Sequence, residues 1–127
     1  MLISIGSNVD ASRNVAEAVR LLSQLIDEVC ISEIISTKPF GEHYKNEFCY
    51  CLMRGETSLP FIELEQQLKQ MERSFGRTAA SKQSGLVPLD LDILQYGSEK
   101  YHLHDWQRPY VADLLASVML CNKKTIS

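Results

Sequence analysis

Asp90 and Asp92 lie in the stretch Pro88-Leu89-Asp90-Leu91-Asp92-Ile93-Leu94. As a β-strand, this stretch sends Leu89, Leu91 and Ile93 to one face and both aspartates to the other. Two residues along a strand span about 6.5–7 Å, so the carboxylates point the same way from neighbouring positions. Aspartate is depleted in strands, and like charges on one face repel. Two arrangements offset that cost. One is a magnesium ion, or a pair of them, held by the carboxylates and shared with substrate phosphates. The other is an edge strand with one solvated face, the more common setting of an isolated Asp-x-Asp.

The elements that must position these residues follow from the apolar pattern. Leu2 to Ile5 is a short apolar run that ends in the turn signal Gly6-Ser7-Asn8. Val15, Ala18, Val19, Leu22, Leu25, Ile26 and Val29 then keep the 3/4 spacing of one helix face. Asn14 with Glu17 forms a capping-box pattern, with Asp10 or Ser12 as earlier caps. A second strand is expected over 29–36 and a third, antiparallel to it, over 48–57, separated by a break at Thr37-Lys38-Pro39-Phe40-Gly41 and a polar loop. Ser58 and Pro60 open a second helix, in which Phe61, Leu64, Leu68, Met71 and Phe75 share a stripe and Gly76 is the stop. Residues 78–85 are small and polar, which predicts a mobile loop leading into the aspartate strand. Tyr96-Gly97 ends that strand, and Pro109 opens a last short helix. The order β-α-β-β-α-β predicts an α+β, ferredoxin-like fold over a single domain, residues 1–127. Its antiparallel sheet would carry the two long helices on one face, with a short C-terminal helix added.

The 127 residues suffice for one core, and 45% hydrophobic with 23% charged residues is ordinary for a soluble globular chain. A formal charge of −3 argues against a nucleic-acid surface, so phosphate groups would have to be met by local cations or metal. Cys30, Cys49, Cys51 and Cys121 show neither CxxC spacing nor disulfide-scaffold density. Cys49 and Cys51 share a strand face, which permits metal binding, but small buried hydrophobes are the expected role. With no basic segment preceding an apolar run at the N-terminus and no stretch of transmembrane length, a cytoplasmic setting without membrane contact is expected.

Several short motifs, in order, carry a resemblance. They are Gly6-Ser7-Asn8, Ser36-Thr37-Lys38-Pro39-Phe40-Gly41, Thr57-Ser58-Leu59, Glu72-Arg73-Ser74-Phe75-Gly76-Arg77, and Leu89-Asp90-Leu91-Asp92-Ile93-Leu94 with Tyr96-Gly97. Over roughly residues 1–97 the chain resembles the 6-hydroxymethyl-7,8-dihydropterin pyrophosphokinase family of folate biosynthesis. The resemblance implies transfer of the β,γ-diphosphoryl group of ATP to the hydroxymethyl oxygen of a reduced pterin, with release of AMP. Asp90 and Asp92 match the aspartates that hold two magnesium ions. Arg77, Glu72, His102 and Arg108 match groups on the nucleotide side. Thr37, Pro39 and Phe40 fall in the loop over the pterin edge, and Phe48 and Tyr110 match aromatics that sandwich the pterin ring. Taken without the resemblance, Arg77 is a cation complementing a helix C-terminus, and each aromatic is explained by core packing. Lys82 and His104 are expected to be solvated.

The chain departs from the family pattern at specific places. Tyr50 stands where the family has the asparagine that pairs with the pterin. Ala79 replaces a second arginine, Ser84-Gly85-Leu86-Val87 replaces Trp-Gly-Pro-Arg, and Ile35 replaces an aromatic. The metal half of the implied site is kept, while the lid and the pterin-reading half are altered. Two further readings therefore stand beside the pterin enzyme: a magnesium–nucleotide phosphotransferase with another acceptor, and a non-catalytic binding protein of the same fold.

Overall fold

The computed structural model describes residues 1–37 and 46–119. Strand β1 (Leu2–Ser7) leads into helix α1 (Ala11–Leu25), followed by β2 (Asp27–Ile31), β3 (Ile35–Thr37) and β4 (Phe48–Glu56). Helix α2 (Phe61–Ser74), a short α3 (Ala79–Gln83), β5 (Asp90–Tyr96), β6 (Glu99–Lys100), α4 (Leu103–Trp106) and α5 (Pro109–Met119) complete the order. The sheet runs β2-β4-β1-β5-β6, with β3 also on β4, and its paired strands are antiparallel. This is the α+β, ferredoxin-like arrangement, with β1 and β4 central. Among the described residues, no helix is long and apolar enough to cross a membrane.

Strand alternation divides the core in two. Ile3, Ile5, Cys51, Met53, Leu91 and Ile93 face one way and pack with Val15, Ala18 and Leu22 of α1 and Leu64 and Leu68 of α2. Leu2, Tyr50, Leu52 and Leu94 face the other way and pack with Val111, Leu114 and Val118 of α5. Asp90 and Asp92 alternate onto the α5 side, so the last helix closes part of the face that carries the carboxylates.

Three expectations are corrected. The strand expected over 29–36 is two strands, β2 and β3, on one edge of β4. The backbone leaves the ladder at Ser32, whose hydroxyl accepts the Leu52 N–H at 2.8 Å while donating to the Glu33 carbonyl at 2.8 Å. A side-chain oxygen thus replaces a ladder partner, which serine does readily. Residues 79–83 form helix α3 rather than an irregular loop. Thr78 and Ser81 cap each other reciprocally, Ser81 N–H to Thr78 Oγ1 at 3.2 Å and Thr78 N–H to Ser81 Oγ at 2.8 Å. The third correction concerns α1, which begins after Asp10 without a side-chain cap. Asn14 instead donates to the carbonyls of Val9 (2.7 Å) and Pro88 (3.0 Å), tying the helix start to the segment that enters β5.

Candidate active site

Register places the two aspartates against the centre of the sheet. Asp90 is opposite Gly6 and Asp92 opposite Ser4 across β1, and Gly6 is in turn opposite Tyr50 on β4. Carboxylates and aromatic ring therefore sit on one face, separated by the width of a single strand. Burial is the first cause that pushes the Asp92 carboxyl up, to about 7, followed by the charges of Asp90 and Asp105. Ionising it costs free energy unless a cation compensates. Oxygen donors held together under mutual repulsion are what a hard divalent ion requires, so these residues fit magnesium.

Side chains reach the pair from two directions. Glu72 continues the buried stripe Leu64–Leu68 one turn further along α2 and is 8% exposed. Its carboxylate accepts the Leu91 N–H at 2.8 Å, a backbone donor on the open side of β5. Gly76, at φ 97°, ends the helix in the left-handed region and turns the chain so that Arg77 comes back over it. Arg77 Nη1 then donates to Glu72 Oε2 at 2.8 Å, to Asp90 Oδ1 at 2.8 Å and to the Leu89 carbonyl at 3.2 Å. Burial raises the Glu72 pKa, opposed by the Leu91 N–H and the Arg77 charge.

From the other side comes the segment after β6. Trp106 donates from its indole to the carbonyls of Leu94 and Tyr101, both at 3.1 Å, pinning α4 to β5. His102, at φ 53° before α4, brings Nε2 to 3.7 Å from Asp92 Oδ1. Asp105 joins them: ligand atoms of Asp92, His102 and Asp105 all lie within 4.8 Å of one another. Arg108 Nε is 3.3 Å from Asp105 Oδ1. Asp105 was missed in the sequence; its only signal there is the i, i+3 spacing from His102, which becomes informative once a helix is known to follow.

The structure thus gathers Glu72, Arg77, Asp90, Asp92, His102 and Arg108 along one side of β5, with Tyr50 and Tyr110 adjoining. Phe48 lies two residues from Tyr50 on the same strand face, and Thr37 is opposite Phe48 in the β3–β4 register. Pro39 and Phe40 lie outside the described residues. Lys82 and His104 are exposed, as expected, His104 within α4. Asn8 is a second residue whose role was not read from the sequence. It is 3% exposed; its side chain donates to the Gly85 carbonyl at 2.9 Å and accepts the Val87 N–H at 2.5 Å. It fastens the segment after α3 to the end of β1.

Residues 2–120 match the family model of 7,8-dihydro-6-hydroxymethylpterin-pyrophosphokinase. The chain belongs to that family. Among its relatives is a folate synthesis bifunctional protein of Arabidopsis thaliana, 33% identical over 141 residues, covering 100% of this chain and 29% of that protein. The 2-amino-4-hydroxy-6-hydroxymethyldihydropteridine pyrophosphokinase of Haemophilus influenzae is 31% identical over 100 residues, covering 76% of this chain and 62% of the relative. That of Bacillus subtilis is 33% identical over 100 residues, covering 76% and 59%. The chain of this pyrophosphokinase-family member therefore spans under a third of the bifunctional relative and about three-fifths of the two single-function ones.

Proposed function

We propose that the chain is an ATP-dependent pyrophosphokinase acting, as one domain over 1–127, in folate biosynthesis. It would transfer the diphosphoryl group of ATP to the hydroxymethyl group of 6-hydroxymethyl-7,8-dihydropterin and release AMP. The observation that carries this reading is the placement of Asp90 and Asp92 one strand away from an aromatic stack on the same sheet face. A charged phosphoryl group and a flat acceptor would meet across Gly6.

Asp90 and Asp92 would hold two magnesium ions, which when bound neutralise phosphate oxygens and polarise the attacking hydroxyl. The protein's own contribution is alignment. Arg77, fixed by Glu72, holds Asp90 in place and keeps a guanidinium at the nucleotide side. His102 and Arg108 offer donors on the opposite flank, set there by α4. Phe48, Tyr110 and the segment carrying Thr37, Pro39 and Phe40 would bound the pterin, with Tyr50 at its polar edge. The buried thiols Cys49 and Cys51 suit a reducing, cytoplasmic compartment.

The test is AMP release from magnesium–ATP with and without the hydroxymethyl pterin. Pterin-dependent AMP supports the proposal. Nucleotide binding with AMP formed only on another alcohol favours a different acceptor, and no nucleotide binding at all removes the catalytic reading.

A further inference from the structure

Tyr50 is the common member of two ring stacks. Its centroid is 4.2 Å from that of Tyr110 at an interplanar angle of 11°. It is 5.5 Å from that of Phe48 at 7°. Phe48 comes from the start of β4 and Tyr110 from the first turn of α5, so the two stacking partners of Tyr50 belong to separate elements. Beneath Tyr50 lies Gly6, where an added Cβ would stand 2.8 Å from Cδ1 and Cε1 of the tyrosine. The ring rests directly on the backbone of β1, in space that any other residue at position 6 would fill. Tyr50 is 8% exposed, and the charged groups acting on its hydroxyl are Arg108, Asp90 and Asp105. Burial raises the Tyr110 pKa, opposed by Ser4 and the Arg108 charge acting on its hydroxyl.

These contacts describe a flat, hydroxyl-bearing ring lying on a glycine floor and stacked on aromatic rings, next to the carboxylate pair. That is the shape and chemistry of a planar heterocyclic acceptor, and here a side chain of the protein supplies it. Resting on the pterin-acceptor reading above, we propose that Tyr50 is an internal occupant of the acceptor slot. In the resting protein its ring holds the slot filled, and it swings off Tyr110 before a pterin seats. Tyr50 is then a specificity-determining residue. An acceptor enters only if it stacks on the vacated rings better than the tyrosine does. The effect is distinct from the loss of an amide partner at this position, because it depends on the ring and not on the hydroxyl.

A slot open in roughly 1–10% of molecules lowers apparent acceptor affinity roughly 10- to 100-fold. The experiment measures binding of oxidised 6-hydroxymethylpterin by its fluorescence, in the presence of magnesium and a non-hydrolysable ATP analogue. It uses the full chain as parent, Tyr50→Phe, Tyr50→Ala and Tyr50→Asn. The alanine and asparagine variants should bind roughly 10- to 100-fold more tightly than the parent, and the phenylalanine variant like the parent. A gain in Tyr50→Asn alone would identify a missing amide and overturn the proposal. So would a Tyr50→Ala variant that binds no more tightly than the parent. Pterin binding absent from all four proteins, with nucleotide binding kept, would remove the pterin acceptor and this proposal together. If Tyr50→Ala does not fold, tyrosine-labelled parent protein decides the matter by NMR. Pterin should shift the Tyr50 ring resonances away from their stacked positions, and pterin binding that leaves them unmoved overturns the proposal.

Discussion

Replacing Asp92 by asparagine should make the ligand-free protein more stable and abolish its response to magnesium. The Asp92 carboxyl is moved from its ordinary 3.8 to about 7, chiefly by burial and then by Asp90 and Asp105. Its side chain is 26% exposed, so solvent screens the effect only in part. That displacement corresponds to at most about 4 kcal/mol of unfavourable interaction in the ionised form. The folded-state value lies above the unfolded one. The penalty is therefore absent below about pH 4, grows as pH rises towards about 7, and is complete above that. Asparagine has the shape of the protonated acid and can donate to Asp90 as that acid does. Tyr50, Gly6 and the core are untouched. Asp92→Asn should thus gain about 1–4 kcal/mol at pH 8 without metal, a rise of about 3–12 °C in Tm for a domain of this size. The gain should shrink to nothing near pH 4. Magnesium with an ATP analogue should raise the parent's Tm and leave the variant's unchanged, because ligand binding stabilises only the state that binds it. The assay is a thermal melt across pH, with and without magnesium and nucleotide. A variant no more stable than the parent at pH 8, or a difference that does not fall towards pH 4, would refute the claim that the two carboxylates are held together against their own repulsion.

Other expectations follow from single contacts. Glu72→Ala should cost about 2–4 kcal/mol in a chemical-denaturation experiment, because it leaves the Leu91 N–H without its acceptor and removes one partner of Arg77; a loss under about 0.5 kcal/mol would show that water replaces the carboxylate. Gly6→Ala, with its new Cβ 2.8 Å from the Tyr50 ring, should destabilise by about 1–3 kcal/mol, and the near-ultraviolet circular dichroism of the tyrosine stack should change with it. Amide exchange across 78–87 should be faster than in β1 and β4 in the free protein and slow when nucleotide and pterin are both present; free-protein protection equal to that of the central strands would exclude closure of this segment over substrates. Thr78→Ala should remove the reciprocal cap and raise exchange in α3 while leaving that of α2 unchanged.

The parts of the molecule that period and register control were legible in the sequence. Alternation alone put Asp90 and Asp92 on the face opposite Leu91 and Ile93, and the 3/4 stripes marked the buried apolar residues of α1 and α2, although the first stripe was carried through Ile26 and Val29, past the end of α1 at Leu25 and into β2. The stripe on α2 also runs straight into Glu72, whose burial can be seen in the sequence once Leu64 and Leu68 are taken as core. What escaped the reading depends on contacts between segments far apart in the chain. The break at Ser32 reflects a hydrogen bond to Leu52, 20 residues away. Helix α3 rests on a Thr78–Ser81 cap that lacks the glutamate or glutamine of the usual box, so its signal was faint. Asp105 reaches Asp92 only because Trp106 pins α4 against β5.

Tyr50 shows the same division most sharply. Its face was inferable from strand parity, but its nearer stacking partner is Tyr110, which arrives with a helix that begins 59 residues later. The two halves of the site are also supported differently. The carboxylate half is tied into the fold through Arg77 and the buried Glu72, so substitutions there alter stability together with metal response. The aromatic half rests on stacking worth about 0.5–1.5 kcal/mol per ring pair beyond its buried area, against a glycine that adds no side chain of its own. A ring held by so little can be exchanged for a ligand ring that stacks somewhat better. Among the described residues, the arginine that touches the carboxylate pair, Arg77, is already committed to Glu72 and Asp90. Metal dependence and acceptor choice should therefore separate cleanly by mutation, the first moving with Asp92 and the second with Tyr50.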